Sequence, residues 1–260
     1  MSNIMPSRQI ALEDISEAEW QARVELALAY RLFDWLGITD IIHTHISVRA
    51  PGAGDHFLQL PYGMLFSEAR ASQMVKCDVA GNILSDPTGL GISLGGFCIH
   101  SAIHMGTPRA ACVMHAHSEA TIAVSNYRDG LLPLSQHAMR FYERIAYLDY
   151  SGIFDSDEKR AALPKTLGEG DVLMLRNHGP LVIGSSVAEC FSRAYYLERA
   201  CRMQVSSLSI CRDPKADLVW PSATDARFMS KAFQGGGTVM EREWAALRRM
   251  IDATGADYAA

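Results

Sequence analysis

Short β-type segments are scattered among a few long helical ones, without the regular strand–helix–strand alternation of a parallel wind. The sequence therefore points to a mixed sheet covered by helices. The first helix opens at Ser16, where Ser16-x-x-Glu19 has the spacing of a capping box. It continues through Trp20, Val24, Ala27, Leu28, Leu32 and Trp35 to a stop at Gly37. Segments 42–49 and 57–60 read as strands around Pro51-Gly52-Ala53-Gly54, and 74–79 and 83–84 as a hairpin around Ala80-Gly81-Asn82. A Gly-rich connection over 91–96 leads into a helix over 97–105. Segment 111–117 is a further strand, and 171–175 and 181–183 are two more about the turn Arg176-Asn177-His178-Gly179-Pro180. Ser186-x-x-Glu189 opens a long helix with Cys190, Phe191, Ala194, Leu197, Cys201 and Val205 on its apolar side. A last helix is predicted over 241–251, with acids first and arginines later, matching its dipole. Gly235-Gly236-Gly237 is the one loose joint. Residues 1–234 are thus expected to form one domain, and 235–260 a helical tail.

The composition narrows the class of function. A net charge of −5 over 260 residues leaves no basic excess to neutralise a phosphate backbone, so nucleic acid is not expected as a partner. No apolar run approaches the ~18 residues of a membrane span, and residues 1–14 show neither a signal-peptide nor an Arg-rich transit pattern. The cysteines (77, 98, 112, 190, 201 and 211) contain no C-x-x-C pair and sit mostly in apolar stretches. They read as reduced, buried thiols of a cytoplasmic protein.

Chemistry is concentrated in histidine. His43/His45 and His115/His117 are His-x-His pairs, and in a strand residues i and i+2 project from one face, so His115 and His117 are placed to hold one ion between them. A third ligand must come from elsewhere, and His178, in a tight turn beside Gly179, is the natural choice. The same residues read equally well as two half-buried strand residues and a turn residue; spacing leaves both readings open. His100 and His104 lie four apart on the predicted helix and share a face, but lack the Glu of a zinc helix, so a supporting role is favoured over ligation. No Gly-x-Ser-x-Gly elbow is present, and the Gly-rich segment lacks the Lys of a phosphate-binding loop.

His115-Ala116-His117, Arg176-Asn177-His178-Gly179 and Tyr195-Tyr196-Leu197-Glu198-Arg199-Ala200-Cys201, in that order, resemble the class II aldolase/adducin family. The resemblance extends to Ile46-Ser47-Val48-Arg49, Leu60-Pro61-Tyr62-Gly63 and Ile99-His100-Ser101-Ala102-Ile103-His104, and covers roughly 18–208. The stretch Tyr147-Leu148-Asp149-Tyr150-Ser151-Gly152 is similar to the adducin-head-like branch. The resemblance implies an α/β fold, a three-layer α/β/α sandwich with a central, mainly antiparallel sheet. It also implies a homotetramer with sites between subunits, and one divalent metal per subunit held by His115, His117 and His178. Zinc is the first choice and manganese or iron the others. Adducin is implied to have the fold without the metal triad, so retention of all three histidines favours chemistry.

The resemblance further implies catalytic roles for His100 and His104, with Tyr150 as a candidate proton donor or a packing residue. The implied substrate-binding residues are His45, Ser47, Arg49, Tyr62, Gly63, Gly95 and Gly96. Two departures stand out. The family's sugar-phosphate aldolases carry a catalytic Glu at the position of Gly96, and Glu68 and Asp86, on loops near the expected site, are the acids available to replace it. Where those enzymes bind phosphate through small polar groups, this chain has His45, Tyr62, Leu94 and Gly95, which disfavours a phosphorylated sugar. His45 and Arg49 suit a carboxylate or a phenolate instead. The expectation is a metal-dependent carbon–carbon lyase, of aldolase or decarboxylase type, for a small non-phosphorylated oxo- or hydroxy-carboxylate. The alternatives are a non-haem iron oxygenase on the same fold and a non-catalytic adducin-like interaction module.

Overall fold

A computed structural model describes residues 15–260 apart from 53, 153, 235 and 236. The N-terminal stretch read for targeting signals, the apex of the 51–54 turn and most of the triple-glycine joint lie outside the described residues.

Helix α1 (Glu17–Trp35) is capped by Ser16, whose hydroxyl accepts the Glu19 N–H at 3.2 Å. The box is not reciprocal. The Glu19 carboxylate turns inward to Arg23 (2.8 Å) and Lys76 (2.7 Å), because Arg23 is buried and needs a counter-charge. Gly37, at φ +66°, ends the helix as expected. The strands are β1 (His45–Arg49), β2 (His56–Gln59), β3 (Val75–Asp78), β4 (Ile83–Ser85), β5 (Cys112–His115), β6 (Ile145–Leu148), β7 (Val172–Leu175) and β8 (Gly179–Gly184). Helix α2 (Leu94–Gly106) starts three residues earlier than expected, since Ser93 caps it and Gly95 and Gly96 form its first turn. The remaining helices are α3 (Glu119–Asn126), α4 (Gln136–Met139), α5 (Asp157–Leu167), α6 (Val187–Ser209), α7 (Pro214–Asp217), α8 (Ala223–Ala232) and α9 (Gly237–Asp252).

The strands form one sheet in the order β4-β3-β2-β1-β5-β8-β7-β6, antiparallel throughout except for the parallel pair β6/β7. Alternation along the central strands divides the core. Cys112, Met114, Val172, Met174 and Val182 pack with α1, α6 and α9, whereas Val113, Leu173, Leu175, Leu181 and Ile183 pack with α2 and α5. Helices thus cover both faces, giving the three layers. Tyr30 of α1 is fixed beneath the sheet. Its hydroxyl donates to Ile46 O (2.5 Å) and accepts from Ile46 N–H (2.9 Å) and Leu60 N–H (3.2 Å).

The C-terminal segment is built into this core and is no detached tail. Trp244, Ile251 and Tyr258 are buried with α1 and α6, and the Ala71 and Ser72 N–H groups bond to the carbonyls of Tyr258 and Ala260. Among the described residues no helix is long and apolar enough to cross a membrane. The six cysteines are unpaired, and Cys77, Cys112, Cys190 and Cys201 are buried.

Candidate metal centre

Three chain segments meet at one end of β5. The strand stops at His115, so His117 is not its strand-mate. It follows the strand end and is held by the next helix, whose N-cap Ser118 accepts the Thr121 N–H and donates to the buried carboxylate of Glu198. His178 comes from the β7–β8 turn. There Asn177 sits at φ +59°, a conformation Asn tolerates. Gly179 is required: a Cβ on it would lie 2.4 Å from Ala116 O. The missing side chain lets the turn close on the end of β5. Arg176 clamps the turn to the end of α3, through the carbonyls of Ser125 (3.1 Å), Tyr127 (2.6 Å) and Arg128 (3.0 Å).

The result is a cluster in which His115, His117 and His178 each turn one ring nitrogen inward, all within 4.8 Å of one another. His115 Nε2 is 2.9 Å from His117 Nε2, which is 3.1 Å from His178 Nε2. The outer nitrogens fix the tautomers. His115 Nδ1 lies 2.9 Å from Pro180 O, and His117 Nδ1 lies 2.9 Å from Asp40 Oδ2. A carbonyl and a carboxylate can only accept, so both Nδ1 atoms carry the proton and both Nε2 atoms present bare lone pairs to each other. Such a contact is repulsive unless a proton or a cation lies between them. Burial, and then the charges of His178 and His117, holds His115 well below the ordinary imidazole range. Burial and then His117 bring His178 down to about 4. Protonation of His115 and His178 is thus disfavoured, and the donor set fits a divalent ion that takes imidazole nitrogen at ~2.0–2.1 Å.

His45, Ser47 and Arg49 point to the α2 side of the sheet, opposite Ile46 and Val48. His45 pairs with His115 across the β1–β5 ladder. Ser47 is fully buried, and its hydroxyl lies between His100 Nδ1 (2.6 Å) and His104 Nε2 (2.8 Å), so it orients these rings instead of meeting a ligand. His104 Nδ1 donates to Ala110 O (3.2 Å), and its ring stacks on Phe57. Arg49 is likewise spent: its guanidinium bonds to His104 O, Ala110 O and Asp55, which leaves no fork for a substrate carboxylate. Burial lowers His104 to about 3 and His45 to about 4, and holds His100 far below its usual range. All three rings are neutral at neutral pH.

Tyr62 is tied through its N–H to Gly91 O (3.0 Å), with Gly63 following at φ +104°. Gly95 lies in the first turn of α2, whose first intrahelical bond runs from Phe97 N–H to Ser93 O. Tyr150 is 64% exposed, on the loop after β6, and no contact joins it to the histidine centre among the described residues. Both acids considered as a replacement at position 96 bond within their own loops. Glu68 accepts the Leu65 N–H, and the Asp86 carboxylate is filled by Thr88, Gly89 and Gly91. Asp40 escaped the sequence reading, because nothing local marks a carboxylate that meets its histidine 77 positions away.

The family described as the class II aldolase and adducin N-terminal domain matches residues 24–205. The chain belongs to this family. It is similar to a class 2 aldolase-like protein of Caulobacter vibrioides, 45% identical over 245 residues that cover 94% of each chain. It is also similar to rat alpha-adducin, 39% identical over 244 residues, which are 90% of this chain and 33% of that protein. A solved aldolase II superfamily protein from Pseudomonas syringae superposes with a TM-score of 0.91 at 42% identity, covering 96% of this chain and all of that one. The three-layer fold expected from the sequence is therefore the family fold.

Proposed function

We propose that the protein is a metal-dependent carbon–carbon lyase, of aldolase or decarboxylase type, acting on a small non-phosphorylated oxo- or hydroxy-carboxylate. The observation that carries this reading is the facing pair of bare Nε2 lone pairs on His115 and His117, joined by His178. A divalent ion held there, zinc in the first instance, supplies Lewis-acid polarisation of a carbonyl or hydroxyl and stabilises the charge left when a carbon–carbon bond breaks. The three histidines hold the ion, with Pro180 O and Asp40 keeping the rings of His115 and His117 aimed. An all-histidine set differs from the two-histidine, one-carboxylate set of non-haem iron oxygenases, which favours the lyase over the oxygenase. The built triad likewise favours chemistry over a purely adducin-like interaction role.

With Arg49 engaged elsewhere, a substrate carboxylate is met by the first-turn N–H groups of Leu94 and Gly95 at the α2 N-terminus. The Leu94 side chain, 70% exposed, and Tyr62 put apolar bulk where a phosphate dianion would need donors. Ile41 and Leu94, 69% and 70% exposed next to Asp40 and Gly95, support cover by a second copy and hence a homo-oligomer, a tetramer on the family pattern. The unpaired cysteines support a cytoplasmic setting.

The test is a panel of ketose and aldose 1-phosphates against oxo- and hydroxy-carboxylates, with zinc, manganese and ferrous iron and with oxygen uptake recorded. Turnover of a carboxylate without oxygen uptake is expected. A sugar phosphate turned over with kcat/KM of ~10⁴ M⁻¹s⁻¹ or above would overturn the substrate class, and iron-dependent oxygen uptake the reaction type.

A further inference from the structure

His45 is half-buried, and its imidazole makes no hydrogen bond within the fold. Neither of its ring nitrogens has a hydrogen-bond partner, although both are shut from bulk water. Buried polar groups in that state call for a ligand or a water, since they have given up solvation with no bond in return. The ring's position is fixed by its neighbours. It pairs with His115 across the ladder, on the face that carries Ser47, and lies edge-on to His100 with centroids 6.2 Å apart. Its flat side rests on the backbone of Gly96. A Cβ at 96 would fall 2.7 Å from His45 Cγ and Nδ1 and 2.8 Å from Cδ2, so the two positions compete for one space.

The neighbouring ring is prepared in a complementary way. His104 Nδ1–H is committed to Ala110 O, so its Nε2 accepts from Ser47 and Ser47 Oγ accepts from His100 Nδ1–H. His100 Nε2 is therefore left as a buried lone pair with no partner. Asp40 is engaged by His117 and Asp86 by its own loop, and Glu68 is exposed with one oxygen on Leu65 N–H.

We propose that His45 is a catalytic residue of the histidine centre, giving a proton to and taking it from the substrate, from the space a side chain at 96 would otherwise fill. The assignment rests on the lyase reading above. A neutral imidazole offers one lone pair and one N–H. With an oxo-carboxylate at the centre, the His45 lone pair forms an N–H bond to the proton leaving the carbon next to the carbonyl. The C–H pair becomes the carbon–carbon double bond of the enolate, and the carbonyl π pair moves to oxygen. The reverse step returns a proton to carbon after exchange with solvent. His100 Nε2 accepts from a substrate hydroxyl or its hydrate.

The test uses full-length zinc-loaded protein, with metal content measured for every sample. Pyruvate is the exchange probe, and loss of its methyl protons in D2O is followed by NMR. His45→Gln is expected to keep its zinc and lose ~10²–10⁴-fold in exchange rate, the usual worth of general acid–base catalysis. Gly96→Ala, which displaces the ring without removing it, should also keep zinc and lose at least tenfold. In a His45→Ala background, Gly96→Glu should recover at least tenfold and Gly96→Gln should not. Independently of turnover, oxalate bound to the zinc protein should shift the histidine ring signals that vanish in His45→Ala. Exchange within threefold of the original chain in zinc-replete His45→Gln would overturn the proposal. So would oxalate binding that leaves the His45 signals unmoved, as for a ring satisfied by water alone. If pyruvate is inert in the original chain, the substrate reading fails while the oxalate result still decides the role of His45.

Discussion

Replacing Asp40 with asparagine probes how the triad is held. His117 is the ring shared by both short contacts, and it is aimed by the 2.9 Å bond from Nδ1 to Asp40 Oδ2, whereas His115 is aimed separately by Pro180 O. The asparagine amide could still accept from Nδ1–H, but without the charge that raises the basicity of Nε2. It could equally turn its NH2 group inward and force the other tautomer. Loss of such a partner typically lowers metal affinity 10–100-fold, or about 1.4–2.7 kcal/mol. The Asp40 side chain is 46% exposed, so solvent screening places the effect toward the lower end. Asp40→Ala should fall in the same range, because only one of three rings loses its guide. Zinc affinity measured by competition with a chromogenic chelator, with folding checked by circular dichroism, reads this directly. Unchanged affinity in both variants would refute the argument that Asp40 sets the tautomer. Complete loss of binding would show that Asp40 is itself a ligand.

Other outcomes follow from the same geometry. His100→Ala and His104→Ala are expected to lower activity ~10–100-fold while zinc content stays full by elemental analysis; loss of zinc from either would make it a ligand. Tyr30→Phe leaves the Ile46 and Leu60 N–H groups and Ile46 O without their buried partner, a cost of about 2–4 kcal/mol in urea unfolding at unchanged m-value. The metal-free protein should lose stability as pH falls from about 6.5 toward 4. His45, His178, His100, His104 and His115 have folded pKa values below the ordinary 6.5, so the unfolded chain takes up protons first in that interval. Urea midpoints at pH 8, 6 and 5 would show it, and a flat profile would contradict it.

A mixed sheet covered by helices was readable in the sequence because alternation and capping are local signals, and its two helical layers were implied by the family resemblance. Ser16 and Ser186 do cap helices, and Gly37 does end one, whereas the Ser93 cap was missed. The parallel edge strand β6 and helices α3, α5 and α8 were not anticipated. β6 is half-buried along its length, so it carries no clean alternation, and α5 contains Pro164. His115, His117 and His178 were legible through their motifs, though not for the strand-face reason. The strand ends at His115, and the meeting depends on Gly179 approaching Ala116 O. Ser47 and Arg49 looked like substrate residues because they sit in a family motif on the right face. Their partners, His100, His104, Ala110 and Asp55, come from chain segments that no local pattern connects to them. The competition between His45 and Gly96 for one volume is a tertiary fact of the same kind.

The most direct measurement is the divalent metal content of the chain and of its His178→Ala variant, after both are exposed to excess zinc and gel-filtered. The original chain should retain one ion per subunit. The variant should retain essentially none while keeping its fold, because removing one of three ligands costs several kcal/mol of affinity. An original chain that binds no metal, or a variant that retains a full ion, would contradict the metal centre on which the proposed lyase rests.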